Sequence, residues 1–374
     1  MPAPAGVLFE DPEDCESFSI RSWLRSSGEV VRLFGGPESP RPGEPSLYPL
    51  GDQALVFLHH EGTDTEIWRT DGSEAGTSLA LGMTTGVRRL PLVPVGSGLL
   101  LLTADSGFGL TYFDPVQGTA VELPSYTSRT YWPHDAAVVG SSAYFLADAY
   151  PLPDEIWRSD GTAAGTVRLL TLPAESQVAS SFFDLNGRAL FAMYNWETGL
   201  QLWASDGTAA GTSRLRSFPD VWYELHSVGR IGNRALFSIA VFDYSTGLFR
   251  SELWETDGTS AGTRYLGDLR RGEQAAFIAR FLTSESGLFF ESSDGDNGAT
   301  LWSTDGTYVG TVALWTNPPP AGGNAAGALR SVAMGSDIVF SAETTVRGIE
   351  LGVSDGTPGG TRLLADLRPG VGSS

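Results

Sequence analysis

The means this chain has for acid–base or anion chemistry are four histidines, 44 carboxylates and 24 cationic side chains. Two histidines fall at matching places in two similar segments. His134 precedes Val139 by five residues in YWPHDAAVVG, and His226 precedes Ile231 by five in VWYELHSVG. Asp135 and Glu224 lie close to them in sequence, and Arg280 and Arg330 enter at comparable heights in two other segments. An imidazole titrates near ~6.5, so beside a carboxylate it can take up and return a proton, while a guanidinium can hold an anionic group. The pattern therefore offers a candidate acid–base site: His134 or His226 as general acid or base, Asp135 or Glu224 as its partner, and Arg280 or Arg330 on the anion. The competing reading leaves these side chains solvated in unrelated segments, because alternation along a strand points every second side chain the other way.

Other motifs fail on their context. GTSAG at 258–262 matches the nucleophile pattern G-x-S-x-G, yet it sits inside a repeated turn whose other copies place Glu, Ala, Tyr or Pro at the Ser260 position. A nucleophile elbow needs a strand, a sharp turn and a helix. DGDNG at 294–298 lacks the further acidic ligands of a calcium loop, and His59-His60-Glu61 does not complete a zinc motif. All 24 cationic residues are arginine, so no P-loop or Schiff-base lysine exists. Cys15 is the one cysteine and can form neither an internal disulfide nor a thiolate cage.

The elements that must position any site come from a repeat. One phrase recurs as IWRTDGSEAGT (67–77), IWRSDGTAAGT (156–166), LWASDGTAAGT (202–212), LWETDGTSAGT (253–263) and LWSTDGTYVGT (301–311). A sixth copy, LGVSDGTPGGT (351–361), has Gly352 in place of Trp. Eroded copies stand at LTYFDPVQGT (110–119), one residue short, and SWLRSSGEVVRL (22–33), without Asp-Gly. From Asp71 to Asp355 the turn aspartates are spaced by 43, 46, 46, 51, 48 and 50 residues, a period that belongs to propeller blades. Within one unit, four β-rich runs separated by Asn-Gly and Asp-Gly turns predict strands near 182–185, 189–194, 200–205 and 213–218. In the repeated phrase Asp can accept turn N–H groups, Gly tolerates positive φ, and Trp offers a flat surface to fill the gap between blades.

The expectation is an all-β chain, a single β-propeller over 1–374 built from eight repeats of about 47 residues, with seven blades as the alternative. The first repeat is incomplete, with strands only near 7–10, 17–23 and 29–34. The phrase resembles the ELWxxDGTxxGT, or hyalin-like, repeats of bacterial proteins. That resemblance implies a propeller and an extracytoplasmic or cell-surface setting, and it carries no shared activity.

The loops between second and third strands, such as 59–66, 147–155, 193–199 and 242–249, differ most from copy to copy, and variable loops on a repeated scaffold are a usual place for recognition. Aromatic residues are frequent there and in the crossovers: Trp132, Trp196, Trp222 and Tyr223 are candidate ligand platforms, each open to the alternative of filling a gap between blades. A net charge of −20 disfavours nucleic acid. No segment is long and apolar enough to span a bilayer, and the first residues lack a cationic start and apolar run. The expected function is non-catalytic binding of a glycan, surface polymer, small molecule or protein by a monomer without a cofactor. The alternatives are a lyase, hydrolase or cyclase at the funnel mouth, and calcium on the ring of turn aspartates.

Overall fold

A computed structural model describes the backbone of residues 6–11, 18–24, 30–36, 43–50, 53–59, 65–83, 93–104, 108–123, 134–147, 153–178, 180–218, 225–243, 248–271, 274–275, 277–293, 298–317, 329–344 and 348–365. Side chains are described at fewer positions, none before Glu66, and among those left out are His134, Asp135 and His226. Among the described residues every regular element is a strand. The strands form eight antiparallel sheets in chain order: 6–36, 43–83, 93–123, 134–171, 176–218, 225–275, 277–317 and 331–365. The first has three strands, as its truncated repeat predicts, and the others have four or five. The backbone divides into two compact units, Met1–Thr171 and Leu172–Ser374, each holding four sheets.

The fifth sheet shows how sequence makes a blade. Its strands Phe183–Leu185, Arg188–Asn195, Gly199–Ser205 and Ser213–Phe218 match the predicted runs, and Ser176–Val178 adds a short fifth. Phe191 and Trp203 face each other across the second and third strands, and their rings stack at 6.3 Å and 17°. The same cross-strand stack recurs as Phe237–Trp254 and Phe290–Trp302. The repeated tryptophan thus docks first on its own sheet. Trp254 also joins the core shared by the fifth and sixth sheets, whereas Trp68, Trp157, Trp203 and Trp302 stay half-buried, so the gap-filling role expected of all copies is strongest at Trp254.

One-residue bulges recur on the outermost strand. Leu202 faces Arg216 but Trp203 faces Arg214, which leaves Leu215 as the extra residue. Equivalent shifts leave Ala80, Leu169, Leu266, Leu314 and Leu364 extra, always nine residues after the turn aspartate. The third sheet, whose turn is one residue short, pairs regularly from Leu110–Leu123 to Asp114–Thr119. The first sheet, whose turn has lost Asp-Gly, still shifts by one, since Ile20 faces Phe34 and Arg21 faces Arg32, so the bulge does not require the full turn. An extra outer residue bends the strand and increases its twist.

Candidate functional site

The repeated turn is closed on itself. In the copy at 205–212, Asp206 Oδ1 accepts from the Thr208 amide at 2.9 Å and hydroxyl at 2.8 Å. Thr208 Oγ1 accepts from Gly211 N at 2.9 Å, and the Thr212 hydroxyl donates to the Thr208 carbonyl at 2.7 Å. Ser205 Oγ and Thr212 Oγ1 lie 2.7 Å apart, and Ser205 Oγ accepts from Gly207 N. The same set recurs around Asp71, Asp160, Asp257, Asp305 and Asp355. Gly207 holds φ at 92°, a left-handed conformation that favours glycine. A Cβ on Gly211 would come within 2.0 Å of Asp206 Oδ1, so the carboxylate occupies the place of a side chain there.

In each turn the hydroxyl two residues after Asp is the main cause that holds the carboxyl below its ordinary range. Such groups serve the turn. Ser260 lies in one of these turns, where its carbonyl accepts from Thr263 N at 3.4 Å, and no helix follows it, so G-x-S-x-G is no nucleophile elbow here. Among the described residues, no three His, Cys, Asp or Glu side chains gather as a metal centre requires.

Trp132, Trp222, Tyr223 and Glu224 lie outside the described residues, as does most of DGDNG. His134 opens a strand of the fourth sheet, opposite Leu146, with Asp135 in the bulge that follows. His226 is in the sixth sheet, between Leu225, which faces Ile239, and Ser227, which faces Ser238, so it is itself the bulged residue. Counting back from the hairpin made the two histidines equivalent. The bulges fall at different pairs, so one histidine has a ladder partner opposite and the other does not.

Arg280 is committed elsewhere. Its Nε and Nη2 grip the buried Glu291 carboxylate at 3.0 and 2.8 Å, and Nη2 also donates to the Ser331 carbonyl at 2.6 Å. The Ser331 hydroxyl completes the cluster by donating to Glu291. The carboxylate raises the pKa of the guanidinium, and the network ties the seventh sheet to the eighth. Arg330 stands at the corresponding place in the eighth sheet, where its amide donates to Ser341 Oγ at 2.9 Å. It edges an open, mainly apolar groove of about 370 Å³ over Val332, Val339, Ser341, Ile349 and Leu351.

Trp196 is the one platform candidate whose side chain is described, and it is 64 % exposed. It sits on the connection between Arg188–Asn195 and Gly199–Ser205. Buried Asn195 organises that connection. Its Nδ2 donates to the Ala174 carbonyl at 3.1 Å and Ser176 Oγ at 3.2 Å, while its Oδ1 accepts from Glu197 N at 2.9 Å and the Thr198 hydroxyl at 3.3 Å. Gln201 Nε2 donates to Thr198 Oγ1 at 2.6 Å, and Gln201 Oε1 accepts from Trp203 Nε1 at 3.1 Å. Sequence reasoning found Trp196 and missed Asn195, Gln201, Glu291 and Ser331. A polar residue two before the repeated Trp (Glu66, Glu155, Gln201, Glu252) was the available signal, since each accepts the indole N–H.

No family model matches this chain, and no curated protein matches it. Solved structures do. Oligopeptidase B from Leishmania major superposes with a TM-score of 0.51 at 10 % identity, over 94 % of this chain and 52 % of that one. A prolyl endopeptidase gives 0.48 at 11 %, over 95 % and 53 %. The dihydro-heme d1 dehydrogenase NirN gives 0.48 at 14 %, over 97 % and 73 %. The fold is the β-propeller. The chain spans about half the length of the oligopeptidase B and prolyl endopeptidase chains, and at such identities the likeness is one of fold alone.

Proposed function

We propose that this chain is a recognition propeller of eight repeats, related to the hyalin-like repeat proteins, whose unrepeated loops engage a glycan, surface polymer or protein. One contrast supports the reading. The hydroxyls of the repeated turn, its aspartate Oδ1 and the indole N–H groups beside it are engaged within their own sheets, whereas the 196–198 connection carries an exposed indole on a fixed backbone. Where repetition is strict the residues serve the scaffold, and where it lapses a large apolar side chain faces water.

The acid–base alternative draws on His134, His226, Asp135 and Glu224, and on arginines of which Arg280 is already neutralised by Glu291. No observation favours it over recognition.

The test is hydrogen exchange on the full chain with and without a partner selected from glycan and protein arrays. Protection is expected in the connections between second and third strands and not in the repeated turns. Protection centred on the repeated turns, or turnover of an arrayed compound, would overturn the reading.

A further inference from the structure

We infer that Trp196 is a stacking platform for the ring of a neutral sugar polymer. This rests on the recognition reading and narrows it to one loop and one ligand class.

An indole exposed to 64 % costs solvation free energy that a turn residue of ordinary polarity would avoid, and nothing in the turn geometry requires it: Asn195 and Thr198 close the turn with their own side chains and the backbone bond from Thr198 N to Asn195 O at 3.3 Å. Gly199, at φ 73°, makes the exit into the next strand. From Trp203 in the third strand through Gln201, Thr198 and Asn195 to Ser176, an unbroken series of hydrogen bonds holds the backbone that carries the indole. Tyr194 meets the indole edge-on at 5.8 Å and 75°, which limits the rotation of the side chain. The platform is therefore built before any ligand arrives, so binding loses little loop entropy.

The chemistry of the ligand follows from what surrounds the ring. A pyranose presents an apolar C–H face, which the electron-rich face of an indole attracts, and a rim of hydroxyls. The exposed Glu197 carboxylate and Thr198 lie next along the chain and can accept from such hydroxyls. Uronate or sulfate polymers would meet Glu197 and a protein of net charge −20 and be repelled. A neutral saccharide satisfies both the apolar face and the carboxylate.

The experiment is affinity electrophoresis of the full chain in gels containing laminarin, xyloglucan, mannan or, as an anionic control, polygalacturonate, with intrinsic tryptophan fluorescence followed in parallel. At least one neutral polysaccharide is expected to retard the protein and perturb its fluorescence, with no retardation by polygalacturonate. Trp196→Ala should weaken that binding at least about tenfold, Trp196→Tyr should restore part of it, and neither should move the melting temperature by more than about 1 °C, as expected of an exposed side chain. Retardation that survives Trp196→Ala overturns the platform while leaving loop recognition standing. Retardation by polygalacturonate alone, or by none of the neutral polymers, overturns the sugar assignment, and the hydrogen-exchange experiment then decides separately whether the loops bind a protein.

Discussion

The seventh and eighth sheets carry the same plan with different side chains. In the seventh, Phe290 faces Trp302 and the rings stack at 5.8 Å and 7°. In the eighth, Phe340 faces Gly352, and a Cβ on that glycine would fall 2.5 Å from the Phe340 ring. The phenylalanine lies where an indole would otherwise lie, supported by Trp315 of the seventh sheet at 5.8 Å. The second difference is electrostatic. Glu291 of the seventh sheet corresponds to Ser341 of the eighth, so the Arg280 guanidinium grips a buried carboxylate, whereas the serine at the matching place accepts from the Arg330 backbone amide. A repeat thus preserves strand register and turn geometry, while the residues that occupy a given volume or balance a given charge are exchanged in concert.

The largest effects should come from the aromatic exchange. Phe340 is 1 % exposed, so Phe340→Ala should cost about 3–5 kcal/mol in chemical denaturation, and Gly352→Trp alone should cost several kcal/mol by overpacking. In the double variant the indole gains the space the phenyl ring gave up, so it should be at least about 1 kcal/mol more stable than the two single costs predict by addition. Strict additivity would mean that Phe340 does not replace the missing tryptophan.

The arginines should separate next. Arg280→Ala leaves Glu291 buried at 5 % exposure without its cation and should cost about 3 kcal/mol. Arg330→Ala removes an exposed side chain and keeps the backbone bond to Ser341, so it should stay within about 0.5 kcal/mol. Equal losses would show that the two positions are not distinguished by Glu291. Ser341→Glu recreates the missing carboxylate on the groove side, and a gain of about 0.5 kcal/mol that disappears in Arg330→Ala would show the pair forming.

The same contrast marks what the sequence could and could not disclose. Four-strand units, the three-stranded first sheet, the loss at Gly352 and the role of the turn aspartates were legible, because they depend on residues close in sequence and on turn chemistry with few solutions. The Arg280–Glu291–Ser331 cluster was not, because it requires the register between two strands and the approach of a third from the next sheet. The offset between His134 and His226 escaped for a related reason: a bulge adds a residue without altering composition or alternation enough to be read. Trp196 was legible as an exposed-loop aromatic, but the buried Asn195 that fixes it reads as an ordinary turn residue.

One feature that the two sheets share should respond alike in both and should give the smallest effect. The Thr307 hydroxyl lowers the pKa of Asp305, and the Thr357 hydroxyl lowers that of Asp355, both from an ordinary value of 3.8. A carboxyl depressed by folding stabilises the native state above its unfolded pKa, and that contribution is lost as pH falls through the folded value, so the loss belongs below 3.8. The melting temperature should therefore hold level from neutrality down to that range and then decline. Asp305→Asn and Asp355→Asn keep an acceptor for the hydroxyl but remove the titration, so each should flatten the acid limb by a similar small amount, read by circular dichroism at a series of pH values. If either variant left the acid limb as steep as in the parent protein, its aspartate would not be ionised for the sake of the turn, and the repeated cassette would owe its stability to backbone and hydroxyl bonds alone.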